Sequence, residues 1–534
     1  MKKSLLLAGL CAIALSASAQ NPFAYGIKTT GVQDGVATGE TVVLKYTLNA
    51  AAESGKIDIY DLGKENPIPV KTIELTAEQL TKADHEVEVA VGDLPGNTEL
   101  AYTVTTTGAK ITAAKEIFSD LAGGGAHQYW SPYGVACDND PDSKHFGRVL
   151  ITESQGNMGA AYFTKASGVG PGLYEYDPQG NPVQNASVAA AQYGYNPFQW
   201  VGDKYTSTSS AQTTRFNAKK VRIAKDGRIF LGVLNCINNP IYTVNPDNLG
   251  EWTPLFKGTI DANESGYVND GDGNMVAAPS AAFDIIGEGS DLKLVNLGSK
   301  FGQSYSYGNY TCYEYPIGEA TEWATKPGDL DEVFPFSMQY TISAQSVSLA
   351  YDKDGGIWYA QYRGAPTEAQ PAIKHATFNA EDGEWVEDYS NITTVVRGGG
   401  IAFNKDYTLL AIPKANNTLG VYTVENTANG PVLTEKYSVT TTTIRGFNDI
   451  CFDYADNIYS CDNGKEVMQQ IQLPVEDPTT LVPCPTSEIF KTGTVTAVKD
   501  LNVTKVEARK YMQNGQLVIE KDGVKYNAAG QVIK

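Results

Sequence analysis

Thr393-Thr394-Val395-Val396-Arg397-Gly398-Gly399-Gly400-Ile401-Ala402-Phe403-Asn404 and Thr442-Thr443-Ile444-Arg445-Gly446-Phe447-Asn448-Asp449-Ile450-Cys451-Phe452-Asp453 are one pattern written twice. Each copy runs from a Thr-rich strand through an Arg-Gly corner into a short apolar strand that ends on Asn or Asp. Each then turns into a second apolar strand, Leu409-Leu410-Ala411-Ile412 in one copy and Asn457-Ile458-Tyr459-Ser460 in the other. Apolar runs this short, rich in β-branched and aromatic residues and bounded by turn residues, are strands. Repetition on this scale signals a modular all-β array.

The unit recurs upstream. Tyr133-Gly134-Val135-Ala136-Cys137-Asp138 leads to Arg148-Val149-Leu150-Ile151, and Val221-Arg222-Ile223-Ala224-Lys225-Asp226-Gly227 leads to Arg228-Ile229-Phe230-Leu231. A weaker copy joins Ala281-Ala282-Phe283-Asp284 to Leu292-Lys293-Leu294-Val295, and a clear one joins Val347 through Gly355 to Ile357-Trp358-Tyr359-Ala360. With the opening pair, six units are legible. The last markers, Asn404 and Asp453, lie about 50 residues apart, within reach of the 40 to 50 residues of a four-stranded propeller blade. The first interval is longer and leaves room for a seventh. A blade has two apolar faces that only neighbouring blades can bury, so the array closes into a ring. Residues 125–490 resemble the NHL-like six-bladed propellers, whose blades share a Gly-hydrophobic-x-hydrophobic-Asp, then Gly-x-hydrophobic-Tyr signature.

Before the array, residues 20–115 alternate apolar and polar side chains. Examples are Glu40–Leu48, Gly55–Tyr60, His85–Val91 and Leu100–Thr105. Turn residues between them predict a β-sandwich. Leu94-Pro95-Gly96-Asn97-Thr98-Glu99-Leu100-Ala101-Tyr102 resembles the end of a fibronectin III or immunoglobulin-like domain, with Tyr102 as its corner tyrosine. Gly123-Gly124-Gly125 reads as the linker to a propeller spanning 116–490. Residues 491–534 read as a short β-tail, because Asn514-Gly515 and Asp522-Gly523 separate alternating runs as hairpin turns do. That tail resembles the C-terminal sorting domains of type IX secretion substrates. The fold class is therefore all-β: an Ig-like sandwich, a six-bladed propeller with a seventh blade left open, and a hairpin tail.

The first 19 residues read as a signal peptide: Lys2 and Lys3, an apolar run from Leu5 to Leu15, and Ala17-Ser18-Ala19 as a small-x-small cleavage site. Leu10 stands before Cys11 where a lipobox takes Gly or Ala. The expected location is outside the cytoplasm: periplasm, cell surface or medium. A net charge of −20 over 534 residues argues against nucleic acid or an anionic membrane as partner, since both call for a basic face. Seven cysteines include Cys11 of the leader; the other six are widely spaced, which leaves disulfides and buried thiols both open.

Candidate ligand groups come from residue chemistry. Arg397 and Arg445 occupy equivalent corners of adjacent blades, and a guanidinium fork suits carboxylate or phosphate. Asn448 and Asp449 share the second corner. Aromatic clusters containing Tyr129, Trp130 and Trp200 suit sugars, other ring ligands or a protein. Asp261, Asn263, Ser265 and Asp272 follow EF-hand-like spacing, with hard oxygens placed for calcium. The chain contains no Gly-x-Ser-x-Gly elbow, His-Glu-x-x-His or P-loop. The leading expectation is therefore a non-catalytic binding protein of the cell envelope that holds a small molecule, glycan or protein. A metal-dependent propeller hydrolase, lactonase or lyase is the alternative, and a structural envelope scaffold the third. Resemblance to the six-bladed lactonases implies a central metal held by Glu, Asn and Asp, for which Glu153, Asn448 and Asp449 have the residue types.

Overall fold

The computed structural model describes residues 20–65, 67–119, 129, 132–154, 172–183, 194–195, 197, 200–201, 204–205, 217–234, 241–255, 268–269, 275–277, 282–299, 310–321, 333, 347–361, 372–391, 400–414, 417–441, 447–462, 467–493, 509–513, 516–521, 524–526 and 532–533. The fold is all-β. Six antiparallel sheets form the propeller, each starting at one of the six repeat units. Their inner strands are Pro132–Cys137, Asn217–Ile223, Phe283–Ile286, Val347–Tyr351, Ala402–Phe403 and Asp449–Phe452. These strands touch in sequence order, and the sixth returns to the first.

In the fourth, fifth and sixth units the hallmark Asn or Asp has a local job. Asp352 Oδ1 accepts the backbone N–H of Asp354 (2.9 Å) and Gly356 (2.8 Å). Asp453 Oδ1 does the same for Ala455 and Asn457, and Asn404 Oδ1 for Thr408 and Leu409. The short side chain thus caps the hairpin between the first and second strands of its blade. Most of the opening pattern is scaffold of this kind.

Second strands such as Val149–Glu153 and Ile458–Asp462 are buried along their whole length, because successive side chains enter different cores. Leu150 packs with Ala218, Val221 and Leu231 of the second blade, whereas Val149 and Ile151 pack with Tyr459 and Met468 of the sixth. Similar cores lie between each remaining pair of neighbours, one centred on Phe283 and Tyr315 and another on Trp358 and Leu410. At two junctions glycine permits the close approach. A Cβ on Gly134 would collide with the backbone oxygen of Lys219, and one on Gly400 would meet Ile450 Cγ1 at 2.8 Å.

The ring is closed by a strand from far upstream. Lys115–Ser119 pairs antiparallel with Val467–Gln472 as the outer strand of the sixth blade. The N-terminal unit is likewise completed from the C-terminal side. Its two sheets have three and seven strands. Thr479–Pro483 and Phe490–Lys491 both pair with Glu99–Thr107 of the larger one. The stretch from 479 to 491 thus belongs to the N-terminal sheet rather than to a blade. Tyr102 is 1% exposed and its hydroxyl lies 3.2 Å from Thr29 Oγ1. Phe23 and Phe146 stack edge-on and both touch the Tyr454 ring, joining the N-terminal core to the sixth blade. Arg509–Gln513, Gln516–Lys521 and Val524–Tyr526 form the three-stranded tail sheet. Among the described residues no helix is long and apolar enough to cross a membrane.

A chain that begins after Ser119 keeps all six inner strands but loses the partner of Val467–Gln472 and both sheets of the N-terminal unit. It is expected to melt at a lower urea concentration than the full chain and to expose apolar surface, measured by dye binding and a urea titration. Equal midpoints for the two chains would show that the closing strand contributes nothing.

Candidate functional site

In the second blade, pairing between Asn217–Ile223 and Ile229–Leu234 shifts register between Ala218 and Val221. Lys219 and Lys220 fill that bulge, which lets two consecutive lysines leave the strand in usable directions. Lys220 crosses the channel. Its Nζ donates to Ser348 Oγ at 3.1 Å, to the Asn448 carbonyl at 2.7 Å and to Asp449 Oδ1 at 2.8 Å. Arg222, two positions on, donates through Nη1 to Asp449 Oδ2 (2.8 Å), through Nη2 to Asp449 Oδ1 (3.1 Å) and through Nε to Asp284 Oδ1 (2.8 Å). Asp284 Oδ2 accepts the Tyr351 N–H, and Asp449 Oδ2 accepts the Val135 N–H. One ionic cluster therefore joins five of the six blades across the axis.

Burial governs the electrostatics. Desolvation pushes the Asp449 carboxyl up, but Arg222 and then Lys220 outweigh it and hold it below the usual carboxylate range. For Asp284 burial wins over Arg222 and the carboxyl is raised. Lys220 is lowered by burial, with Asp449 opposing. Asp449, with two cations on it, is the ionised centre of the group.

Two features flank the cluster. Where the inner strands finish there is a cavity of about 470 Å³, bounded by Arg222, Asp284, Tyr407 and Tyr454 and by the side-by-side pair Cys137 and Cys451. Where they start, Lys219 turns toward the first blade. Its Nζ lies 3.1 Å from Ser154 Oγ and 3.6 Å above the centre of the Tyr133 ring. Thr152 Oγ1 donates to the Lys219 carbonyl and accepts from Gly134 N–H, which fixes the lysine backbone against the first blade. Burial brings the Lys219 amine down to about 7, against the opposing charge of Glu153. Ser154 and Glu153 are themselves buried.

Of the residues singled out from sequence, Asn448 and Asp449 are at the centre, though both engage the chain's own cations. Tyr129 is not a ligand platform: it is fully buried, its hydroxyl 2.7 Å from that of Tyr176, packed edge-on against Tyr174. Trp200 lies in the short strand Trp200–Val201; its side chain falls outside what is described. Arg397, Arg445, Trp130, Asp261, Asn263, Ser265 and Asp272 lie outside the described residues. Lys219, Lys220, Arg222 and Ser154 went unnoticed in sequence. The one signal for the three cations is the charge-dense Asn217-Ala218-Lys219-Lys220-Val221-Arg222 within a strand of the repeat, and Ser154 has none.

The metal set implied by the lactonase resemblance does not fit these residues. Both oxygens of Asp449 already accept from Lys220 and Arg222, and the Asn448 carbonyl accepts from Lys220. An ammonium sits among the oxygens and repels a second cation. Among the described residues no group of three or more His, Cys, Asp or Glu side chains is placed to hold a metal.

No family model matches the chain, and no curated protein matches it. Solved structures do. A gluconolactonase from Xanthomonas campestris is 11% identical with a TM-score of 0.38, covering 69% of this chain and 98% of its own. Regucalcin from Agrobacterium tumefaciens, described as a calcium-binding protein, is 9% identical with a TM-score of 0.36, covering 69% and 95%. YCF48 from Cyanidioschyzon merolae is 11% identical with a TM-score of 0.33, covering 78% and 98%. These likenesses concern the propeller fold. They correct the expectation of a non-catalytic binding protein in one respect. That expectation rested on the absence of a catalytic motif, yet a protein named a gluconolactonase is among the solved structures of this kind. In the present chain, moreover, Lys219 and Ser154, 65 residues apart, are brought together without any linear motif.

Asp449→Ala would leave two buried cations without their carboxylate. A stability loss of about 3–5 kcal/mol is expected for breaking a buried pair from one side, seen as a lower urea midpoint at unchanged slope. A loss below about 1 kcal/mol, the range of exposed pairs, would mean that the cluster is solvated.

Proposed function

We propose that the chain is a hydrolase of carboxylic esters or lactones, with Ser154 as nucleophile and Lys219 as its general base. The observation that supports this reading is the 3.1 Å contact between Lys219 Nζ and Ser154 Oγ in the buried channel wall. An ordinary lysine is protonated at neutral pH and cannot accept a proton; one brought down to about 7 is neutral half of the time. Serine paired with lysine is one of the recurrent variants of the acyl-transfer triad.

Neutral Lys219 takes the Ser154 proton as Oγ attacks the substrate carbonyl, and the ammonium then protonates the departing alkoxide. With a lactone that alkoxide stays tethered to the acyl group. Water then attacks the acyl-serine, giving its proton to Lys219; the Oγ–acyl bond breaks, the ammonium returns that proton to Ser154 Oγ, and the carboxylic acid leaves with serine and neutral amine restored. Lys219 can lose its proton because it has no ionic hydrogen bond comparable to those of Lys220. Glu153 limits how far the amine falls, which keeps it near working pH. The leader at residues 1–19 supports placing this activity outside the cytoplasm, and the resemblance of the tail to sorting domains supports a route through the envelope.

Hydrolysis of a chromogenic acetate ester and of an aliphatic δ-lactone should rise with pH and level off, with its midpoint at about 7. The sign follows from the base: Lys219 must be unprotonated, so activity is low below that pH and full above it. Ser154→Ala and Lys219→Met should each lower kcat by about 10⁴-fold or more, the scale of losing one member of a catalytic set. EDTA should leave the wild-type rate unchanged. Full activity in the Ser154→Ala protein, or loss on chelation, would sink the assignment.

A further inference from the structure

The first and sixth blades meet along their inner strands, and three side-chain contacts mark the seam. Val135 N–H donates to Asp449 Oδ2 at 3.1 Å, and Asn139 Nδ2 donates to the Phe452 carbonyl at 2.9 Å. Between them Cys137 Sγ and Cys451 Sγ stand 3.0 Å apart. The two polar contacts hold the backbones on either side, so the sulfurs face each other in a fixed setting. They also border the cavity of about 470 Å³ and are partly exposed, whereas Cys312, Cys461 and Cys484 are buried. Sulfur atoms at this separation are closer than two thiols pack without bonding and need a shift of about 1 Å to reach bonding distance. The described surroundings hold no third metal-ligating partner, which favours a covalent bond over a soft-metal site.

We infer that Cys137 and Cys451 form a disulfide that closes the propeller ring covalently between its first and last blades. It joins positions 314 residues apart, so it adds a covalent link to the two ends of the ring, which hydrogen bonds and an apolar core otherwise hold. The oxidant is a disulfide-bearing molecule of the thiol–disulfide exchange class. One cysteine thiolate attacks its S–S bond, forming a mixed disulfide and releasing one thiol. The second thiolate then displaces the remaining half as another thiol. Two electrons and two protons pass from the pair to the oxidant, which is reduced to two thiols. Burial, then the neighbouring Cys451, Asp453 and Asp138, raise the Cys137 thiol, so exchange accelerates toward alkaline pH.

The full chain, reduced and then incubated with oxidised glutathione at pH 8 to 9, should lose maleimide labelling at both positions. Peptide mapping by mass spectrometry should recover a Cys137–Cys451 cross-link two hydrogens lighter than the separate peptides. Its melting temperature should rise by about 5 °C over the reduced form, as a link across a long loop implies. Cys137→Ser and Cys451→Ser should each retain glutathione on the remaining cysteine, because the resolving thiol is gone. Persistent labelling of both cysteines after oxidation would overturn the inference. So would cross-links confined to other cysteines, or stoichiometric zinc on the untreated pair that blocks labelling.

Discussion

A blade of four strands has two apolar faces and no layer of its own to cover either. Every other feature of this molecule follows from that constraint. Each buried strand feeds alternate side chains into two cores, as Leu150 and Ile151 do, so a blade is stable only when both neighbours are present. An open row would leave the first and last faces wet. Closure therefore carries a large part of the stability. It is made by groups remote in sequence: Gln469 Nε2 donates to Glu116 Oε2 across 353 residues. The N-terminal sheets obey the same logic in reverse, since Thr479–Pro483 and Phe490–Lys491 supply strands that the first hundred residues lack. The two units fold as partners rather than as beads on a string, and non-local pairings of this kind make for slow folding.

Closing a ring brings six inner strands around one axis, where the space is too narrow for bulky apolar side chains from all of them. Here the axis is filled by Lys220, Arg222, Asp449 and Asp284. A buried ion cluster is a poor source of net stability, because desolvation offsets most of the attraction. What it does supply is geometry: the bidentate contact of Arg222 on Asp449 and the three acceptors around Lys220 are compatible with one arrangement of the blades. The cluster also explains why Lys219 and Lys220, adjacent in sequence, differ so much. Lys220 has a carboxylate in direct contact. Lys219 has a serine and an aromatic face, with Glu153 acting on it only as a field, so burial dominates and the amine can lose its proton.

The fold was legible in the sequence to a considerable depth. Hairpin positions, the Asp or Asn caps at Asp352, Asn404 and Asp453, and the six repeat units all come from local chemistry: side-chain alternation, Asx turns, and glycine where the chain turns. Asn448 and Asp449 were picked out as ligand groups because they depart from the repeat; in the structure they engage Lys220 and Arg222 of the chain itself. Tyr129 was misjudged because an aromatic residue in a linear sequence looks alike whether it lines a pocket or fills the gap between two blades. The absence of a catalytic motif was a weak argument for the same reason, since a motif is a local object and a channel is not.

By itself, then, the sequence determined the strands, their turns, their grouping into six units and the acidic character of the surface, because each depends on residues within a few positions of one another. Only the tertiary structure decided the partners: Lys220 with Asp449 across 229 residues, Lys219 with Ser154 across 65, Cys137 with Cys451 across 314. Such pairs are set by the angle at which blades follow one another around the axis. That angle results from how all the inter-blade cores pack at once, and no stretch of chain carries it alone.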